Sequence, residues 1–252
     1  MHKPFADHFG GVATHYSGSR PSYPLELFAW LAGECRDRGL AWDCGAGNGQ
    51  ASVALAAHFE RVIASDASAA QIAKAPTTSR GVEYRVALAE ESGLPEACAD
   101  IVTVAQALHW FDTPRFFAEA ARVLKAGGLL AAWSYGKLRI EGAEIDAAVQ
   151  AFYENDIGPY WPPERRHVED GYRSIAFPFP RLTPPAFAME AAWALPHLLS
   201  YIRSWSATVA FIKAQGFDPV DRLRRTLLRL WGDPERLRLV VWPLNVLVGR
   251  KD

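Results

Sequence analysis

Cysteine is scarce in this chain: Cys35, Cys44 and Cys98 are the only three, an odd number without Cys-x-x-Cys spacing. That argues against both a disulfide framework and a zinc site and favours a reducing compartment. Long apolar runs are missing as well. No uninterrupted stretch reaches the ~18–20 residues of a membrane span, and Met1-His2-Lys3-Pro4-Phe5-Ala6-Asp7-His8 has no signal-peptide core. There is no excess of one charge, since the formal net charge is −1 with a pI near 6.7. Neither polyanion nor membrane-surface binding is favoured by that balance. Repeats and low-complexity tracts are absent too. The expectation is a soluble, cytoplasmic chain with no membrane, nucleic-acid or metal partner, monomeric or weakly dimeric.

Half of the 252 residues are hydrophobic, which suits one enlarged α/β domain or a domain with a sizeable insertion. From about Tyr23 to Ser134 helical and strand patterns alternate with short polar connections, the signature of a mainly parallel sheet. Leu27, Phe28, Leu31 and Ala32 share one helical face. Strands are expected at Leu40–Asp43, Arg61–Ser65, Val82–Val86, Asp100–Ala105 and Leu129–Ser134. Pro114–Leu124 reads as an amphipathic helix stopped by Gly127-Gly128.

The composition then changes. Residues 157–185 are rich in proline and aromatics, too apolar for a linker and too proline-broken for one helix. Strand Ala186–Trp193, two helices and strand Arg238–Gly249 follow, with Pro243 placing the last near an edge or bulge. The expected division is residues 1–24 as an N-terminal lid, 25–135 as the ligand-binding core, 136–185 as a cap insertion, and 186–252 completing sheet and cap. Arg222, Arg224, Arg225, Arg229, Arg236 and Arg238 alternate with leucines at helical spacing, as on a solvated helix face.

The chemistry starts at Ala41-Trp42-Asp43-Cys44-Gly45-Ala46-Gly47-Asn48-Gly49. An apolar strand runs into an acid, then three alternating glycines, then a helix. Such glycines let the backbone turn tightly and approach a ligand closely, and the helix start offers free N–H groups. A dinucleotide fingerprint spaces its glycines G-x-G-x-x-G around a pyrophosphate. Here the spacing is G-x-G-x-G, and Asp43 suits a ligand ammonium group better than a pyrophosphate. This favours S-adenosylmethionine over NAD. At the end of the second strand, Asp66 is placed to accept both hydroxyls of a ribose; Ser68 also reads as the N-cap of the next helix.

Taken together, Asp-x-Gly-x-Gly-x-Gly, Asp66, Ala89-Glu90 before Leu94-Pro95, and Arg122-Val123-Leu124-Lys125-Ala126-Gly127-Gly128 resemble the class I S-adenosylmethionine-dependent methyltransferases. The resemblance covers about Tyr16 to Ser134. Ala126 stands where the family usually has proline. A narrower similarity, to the trans-aconitate methyltransferase-like (type 11) branch, rests on Tyr16-Ser17-Gly18-Ser19-Arg20-Pro21-Ser22-Tyr23-Pro24 and Gln106-Ala107-Leu108-His109-Trp110-Phe111-Asp112. It extends, more weakly, to Pro159-Tyr160-Trp161 and Ser204-Trp205-Ser206.

The resemblance implies a Rossmann-like, mostly parallel seven-stranded sheet with helices on both faces and a C-terminal cap. It implies S-adenosylmethionine as cofactor, S-adenosylhomocysteine as product, no metal, and methylation of a small molecule, with carboxyl O-methylation as the leading reading. Asp43 would hold the methionine ammonium, directly or through water. Gly45, Gly47 and Gly49 would form the loop against methionine and ribose. Asp66 would bind the ribose and Ala67 the adenine face. Ala89 and Glu90 would lie at the adenine edge, Gln106 near the methyl group, and Arg20 at the methionine carboxylate.

Methyl transfer from a sulfonium is an in-line displacement, in which positioning supplies much of the acceleration. A carboxylate acceptor is ionised at pH 7 and needs no base, whereas an alcohol or phenol does. His109, just past a central strand, is the candidate base; a packed structural histidine is the alternative. Tyr160, Trp161, Tyr172, Trp193 and Trp205 are candidate pocket walls, with ordinary core aromatics as the alternative. Arg173 is a candidate partner for a substrate carboxylate, as are Arg165, Arg166 and His167, with a solvated basic turn as the alternative. Three other functions fit less well: a nicotinamide-dependent oxidoreductase, which the glycine spacing and Asp43 disfavour; a non-catalytic S-adenosylmethionine-binding module, which the intact glycine loop and both acids disfavour; and a nucleic-acid methyltransferase, supported only by the arginine-rich C-terminal helix.

Overall fold

A computed structural model describes residues 21–76 and 81–252. Arg20, His8, His15 and most of the opening motif lie outside the described residues.

Helix α1 (Leu25–Glu34) precedes the alternating units: β1 (Leu40–Cys44), α2 (Gln50–Leu55), β2 (Arg61–Asp66), α3 (Ala69–Ile72), β3 (Val82–Val86), β4 (Ala99–Ala105), α4 (Thr113–Val123) and β5 (Leu124–Tyr135). β1 pairs in parallel with β2 and β4, β2 with β3, and β4 with β5. The order 3-2-1-4-5 reverses direction beside β1, leaving a crevice at the carboxyl ends of β1 and β4, where open α/β sheets take ligands.

Successive side chains of each strand serve opposite faces. Ala41, Val62, Ile101, Leu129 and Trp133 pack with α1 and α2 on one face. Trp42, Ile63, Val102, Leu130 and Ala132 pack with Phe116 and Ala120 of α4 on the other. Burial on both faces accounts for the continuous apolar runs read in β4 and β5.

Beyond Tyr135 come β6 (Arg139–Ile140), α5 (Ala143–Ala151), a π-helical turn at Phe152–Asp156, α6 (Arg165–Glu169), β7 (Arg181–Leu182), β8 (Ala188–Trp193), α7 (Leu195–Arg203), α8 (Ser206–Gln215), α9 (Val220–Trp231) and β9 (Arg238–Arg250). The 13-residue β9 belongs to two ladders. Leu244–Arg250 run antiparallel to β5, while Arg238–Pro243 pair with β8, and part of that run with β6. Pro243, which has no N–H to donate, sits where one ladder gives way to the other.

The sheet is therefore nine-stranded rather than seven. Setting aside the two-residue strands β6 and β7 leaves the expected number. A second difference concerns Gly127 and Gly128. α4 ends at Val123, and Leu124 is already extended, so the glycines lie inside β5 and do not cap the helix. Gly127, at φ 77°, donates to the Lys251 carbonyl at 2.8 Å and so ties β5 to the C-terminal end.

The segment from 136 to 185 divides between two cores. Leu138, Ile145, Val149, Phe152 and Ile157 join Leu198, Leu223, Trp231 and Trp242 in a cap core. Val168, Tyr172, Ile175 and Phe179 instead pack on the α4 face of the sheet. Among the described residues no helix is long and apolar enough to cross a membrane.

Candidate active site

The turn after β1 is built by three left-handed glycines, Gly45, Gly47 and Gly49, with φ of 69°, 57° and 87°. A Cβ on Gly45 would lie 2.8 Å from that of Ala107, and one on Gly49 would lie 2.5 Å from Tyr84 Oη. At Gly47 a Cβ would meet no protein atom within 4 Å. The first and third glycines are thus required by packing, whereas the second opens onto the crevice. Both Gly45 and Ala46 N–H groups donate to the Ser65 carbonyl, at 2.8 and 3.0 Å.

Asp66 closes β2. Its two carboxylate oxygens accept from the Gly47 and Ser68 N–H groups, each at 2.8 Å. Ser68 is the N-terminal flank of α3, and its buried N–H helps hold this carboxylate at the edge of the loop.

Asp43 is placed differently. The β1–β4 register sets it opposite Thr103, and pleating turns its side chain toward α2. Its carboxylate accepts from Ser52 Oγ at 2.5 Å and Thr103 Oγ1 at 2.9 Å, fully buried. It lies beneath the glycine loop and outside the cavity lining. Burial, only partly offset by the two hydroxyl donors, pushes its carboxyl up to about 6.

A cavity of about 790 Å³ runs from this loop to the cap. One end is lined by Gly45, Gly47, Gly49, Asp66, Ala67, Ala89 and Glu90. Glu90 Oε1 accepts from the Asp112 N–H at 2.8 Å, joining the adenine-edge candidate to the start of α4. Gln106 lines the middle in a left-handed conformation, φ 55°. Its side-chain amide clamps the end of β5: Nε2 donates to the Tyr135 carbonyl at 3.1 Å, and Oε1 accepts from the Tyr135 N–H at 2.8 Å.

His109 also lines the cavity, buried on the 3₁₀ turn Leu108–Trp110 that follows β4. Its Nδ1 lies 3.1 Å from Tyr172 Oη. Burial raises the Tyr172 phenol far above its ordinary value, so it keeps its proton.

The cap end is aromatic. Trp161 and Trp205 line it, joined by Tyr153, Tyr201 and Trp242. Trp161 stands 4.7 Å from Tyr153 and 6.0 Å from Trp205, ring centre to ring centre. Tyr160 is not among the lining residues; its ring packs on Phe211 and its hydroxyl accepts from Gln215. Arg173 is excluded as well, since it lies exposed with Nε donating to the Asp170 carbonyl at 2.7 Å. The left-handed pair Gly171–Tyr172 reverses the chain here, carrying Tyr172 inward and leaving Arg173 outside.

Arg165, at the start of α6, is the arginine of this segment that reaches the cavity. It donates from Nε to Tyr153 Oη at 3.0 Å and lies 4.7 Å over the Trp161 ring. It forms no salt bridge among the described residues. Lys137 lines the same end and is paired with Glu154.

Sequence reasoning overlooked Tyr135, Tyr153 and Tyr201. For Tyr153 a signal existed: Ile145, Val149, Phe152 and Tyr153 follow the spacing of one helical face. Tyr172 and Trp193, read as wall candidates, lie outside the cavity lining. Trp193 stacks on His197, and Tyr172 meets His109, a pairing with no trace in the sequence because the two residues are far apart on different elements.

These features define an α/β protein with a ligand crevice at the topological switch point and a separate aromatic compartment over it. A family model described as a methyltransferase domain matches residues 42–132. A Dictyostelium discoideum protein, provisionally named a methyltransferase, is 37% identical over 98% of this chain and 96% of its own length. The Aspergillus candidus methyltransferase cfoB is 30% identical over 69% of this chain and 62% of its own. A solved structure from Anaeromyxobacter dehalogenans, described provisionally as a type II methyltransferase, is 45% identical with a TM-score of 0.86, covering 92% of this chain and 97% of that one. The chain belongs to the class I S-adenosylmethionine-dependent methyltransferases.

Proposed function

We propose that this enzyme methylates a small organic acid on a carboxylate oxygen, with S-adenosylmethionine along the carboxyl ends of β1, β2 and β4 and the acceptor under the cap. The observation that carries this reading is the single cavity joining the Gly47–Asp66 edge to Trp161 and Arg165. Its volume falls within the ~300–1,000 Å³ of ordinary ligand sites.

The residues at the sheet end fit the cofactor. Gly47 offers backbone with no side chain in the way, and Asp66 presents a carboxylate beside it. Ala67, Ala89 and Glu90 form the wall beyond, suited to an adenine. When bound, S-adenosylmethionine supplies an electrophilic methyl group. Asp43 supports the loop from below, holding Ser52 of α2 against Thr103 of β4. Gln106 fixes Tyr135 where the two ends of the cavity meet.

The cap end is rich in donors. Among the described residues Arg165 forms no salt bridge, and Trp161 Nε1 is buried with no hydrogen-bond partner. A buried donor without an acceptor is costly; a ligand carboxylate would satisfy the Trp161 N–H and pair with the guanidinium N–H groups that Arg165 does not use on Tyr153. The aromatic walls suit the apolar body of the acid and exclude water. A carboxylate is already nucleophilic at pH 7, so orienting it is the main task left to the protein. The free cysteines suit a cytoplasmic setting.

The test is methyl transfer from labelled S-adenosylmethionine to a panel of carboxylic acids, phenols and amines, on wild type and Arg165→Ala. Esters should form from acids, and Arg165→Ala should raise KM ten-fold or more with kcat within about three-fold, about 1.4 kcal/mol of uniform binding. Transfer to amines or phenols alone would overturn the acid reading.

A further inference from the structure

The hydroxyl of Tyr153 stands between two charges of opposite sign. Arg165 and Glu169 begin and end α6, and as i and i+4 they share one face of that helix. Opposite charges so placed attract each other along a helix surface, yet these two form no ion pair. The Tyr153 O–H donates to Glu169 Oε1 at 2.9 Å, and the same oxygen accepts from Arg165 Nε at 3.0 Å. Tyr153 and Arg165 line the cavity, whereas Glu169 lies exposed outside the lining. One phenol therefore keeps a cation on the cavity side and the counterion of its own helix on the solvent side.

The local fold holds the phenol in that place. α5 gives way to the π-helical turn Phe152–Asp156, where the Ile157 N–H donates to the Phe152 carbonyl at 3.2 Å. The 3₁₀ turn Gly158–Tyr160 follows and returns Trp161 to 4.7 Å from the Tyr153 ring. Trp205 meets the same ring edge-on at 5.6 Å. Burial pushes the phenol up to about 12, so it keeps the proton it donates to Glu169. A guanidinium has five N–H donors, and Tyr153 takes the one on Nε. Among the described residues nothing accepts from the terminal nitrogens of Arg165, whose fork matches the two oxygens of a carboxylate. Lys137, 5.2 Å from the Tyr153 ring centre, is already paired with Glu154.

We propose that Tyr153 is the positioning residue of the acceptor site: its hydroxyl is a spacer that blocks an Arg165–Glu169 ion pair and leaves the terminal nitrogens of Arg165 for the carboxylate of the acceptor. This rests on the reading of the cap end as a carboxylate site and deepens it, because a neutral group keeps the recognising charge available. Without the hydroxyl, Arg165 falls onto Glu169 along its own helix. The cavity then loses its cation without losing the side chain.

Labelling with phenylglyoxal, which attacks the terminal nitrogens of arginine, reads the state of Arg165 without any ligand. Peptide mass spectrometry gives the rate at Arg165, with exposed Arg166 as the internal reference. Tyr153→Phe should slow labelling at Arg165 about three-fold or more, the scale of a partly exposed ion pair. Adding Glu169→Gln to that variant should restore the wild-type rate. With an acid that wild type esterifies, KM should rise in Tyr153→Phe with little change in kcat and return in the double variant. An unchanged labelling rate in Tyr153→Phe, or no restoration in the double variant, overturns the proposal. So does faster labelling in Glu169→Gln alone, which would show that Glu169 already holds Arg165 in wild type. That surface variant decides the matter if Tyr153→Phe does not fold. Absence of transfer to any acid would count against the carboxylate reading, while the labelling pattern still decides the role of Tyr153.

Discussion

Asp43 sits in a strand–loop motif yet turns away from the cavity, hydrogen-bonded to Ser52 and Thr103. Its carboxyl is raised from 3.8 to about 6 by burial, so the folded protein holds this proton more tightly than the unfolded chain. Wherever the native state binds more protons, stability falls as pH rises. The contribution of Asp43 is therefore full below about pH 4 and is lost as pH climbs through about 6. Asp43→Asn removes that term. Relative to wild type, the variant should gain on the order of 2–3 kcal/mol between pH 4 and pH 7, measured by urea denaturation across that range. Parallel pH profiles for the two proteins would show that Asp43 does not titrate there. At this scale the sequence reveals residue types well and side-chain directions poorly. Asp43 was legible as an acid beside a glycine loop, but its turn toward Ser52 depends on the pleat and on the partner strand. Arg165 and Arg173 are equally basic on the page, and only the reversal at Gly171–Tyr172 decides which one reaches the cavity.

Among the elements, the glycine turn combines a packed position and an open one within one short run. Gly45 and Gly47 are both left-handed, so alanine at either carries the same backbone strain of about 1–2 kcal/mol. Only at Gly45 does the added methyl collide with Ala107 and Phe111. Gly45→Ala should therefore lower thermal stability clearly more than Gly47→Ala, whereas Gly47→Ala should weaken S-adenosylmethionine binding at least ten-fold while staying folded. Equal melting losses, or unimpaired binding by Gly47→Ala, would contradict this division of labour. The elements of the sheet were readable because parallel strands buried on both faces appear as short apolar runs between turns. The long strand β9 was readable as well, including Pro243 as a point of irregularity. What local pattern does not encode is that one strand serves two ladders, or that Gly127 and Gly128 continue β5 instead of ending α4. Both depend on distant partners, β8 and Lys251.

Across the whole molecule, the core sheet and the cap have separate apolar cores and share one cavity. Gln106 is one polar tie between them, clamping the end of β5 at Tyr135, which packs in the cap core. Tyr172 reaches His109 from the part of the following segment that packs on the sheet. The sheet end of the cavity was legible because Gly45, Gly47, Gly49, Asp66 and Ala67, which line it, lie close together along β1, β2 and their loops. At the cap end Trp161, Trp205 and Arg165 were legible singly, but Tyr153, Tyr201 and Trp242 were not, since they converge on it from widely separated stretches.

The central claim is that the Gly47–Asp66 edge binds S-adenosylmethionine, and isothermal titration on wild type and Asp66→Ala tests it most directly. Asp66 anchors the Gly47 and Ser68 N–H groups and is placed to accept a ribose, so its removal should weaken micromolar binding ten-fold or more, roughly 1.4 kcal/mol, with the melting curve confirming a folded variant. Equal affinities in the two proteins, or no binding by wild type, would contradict the account.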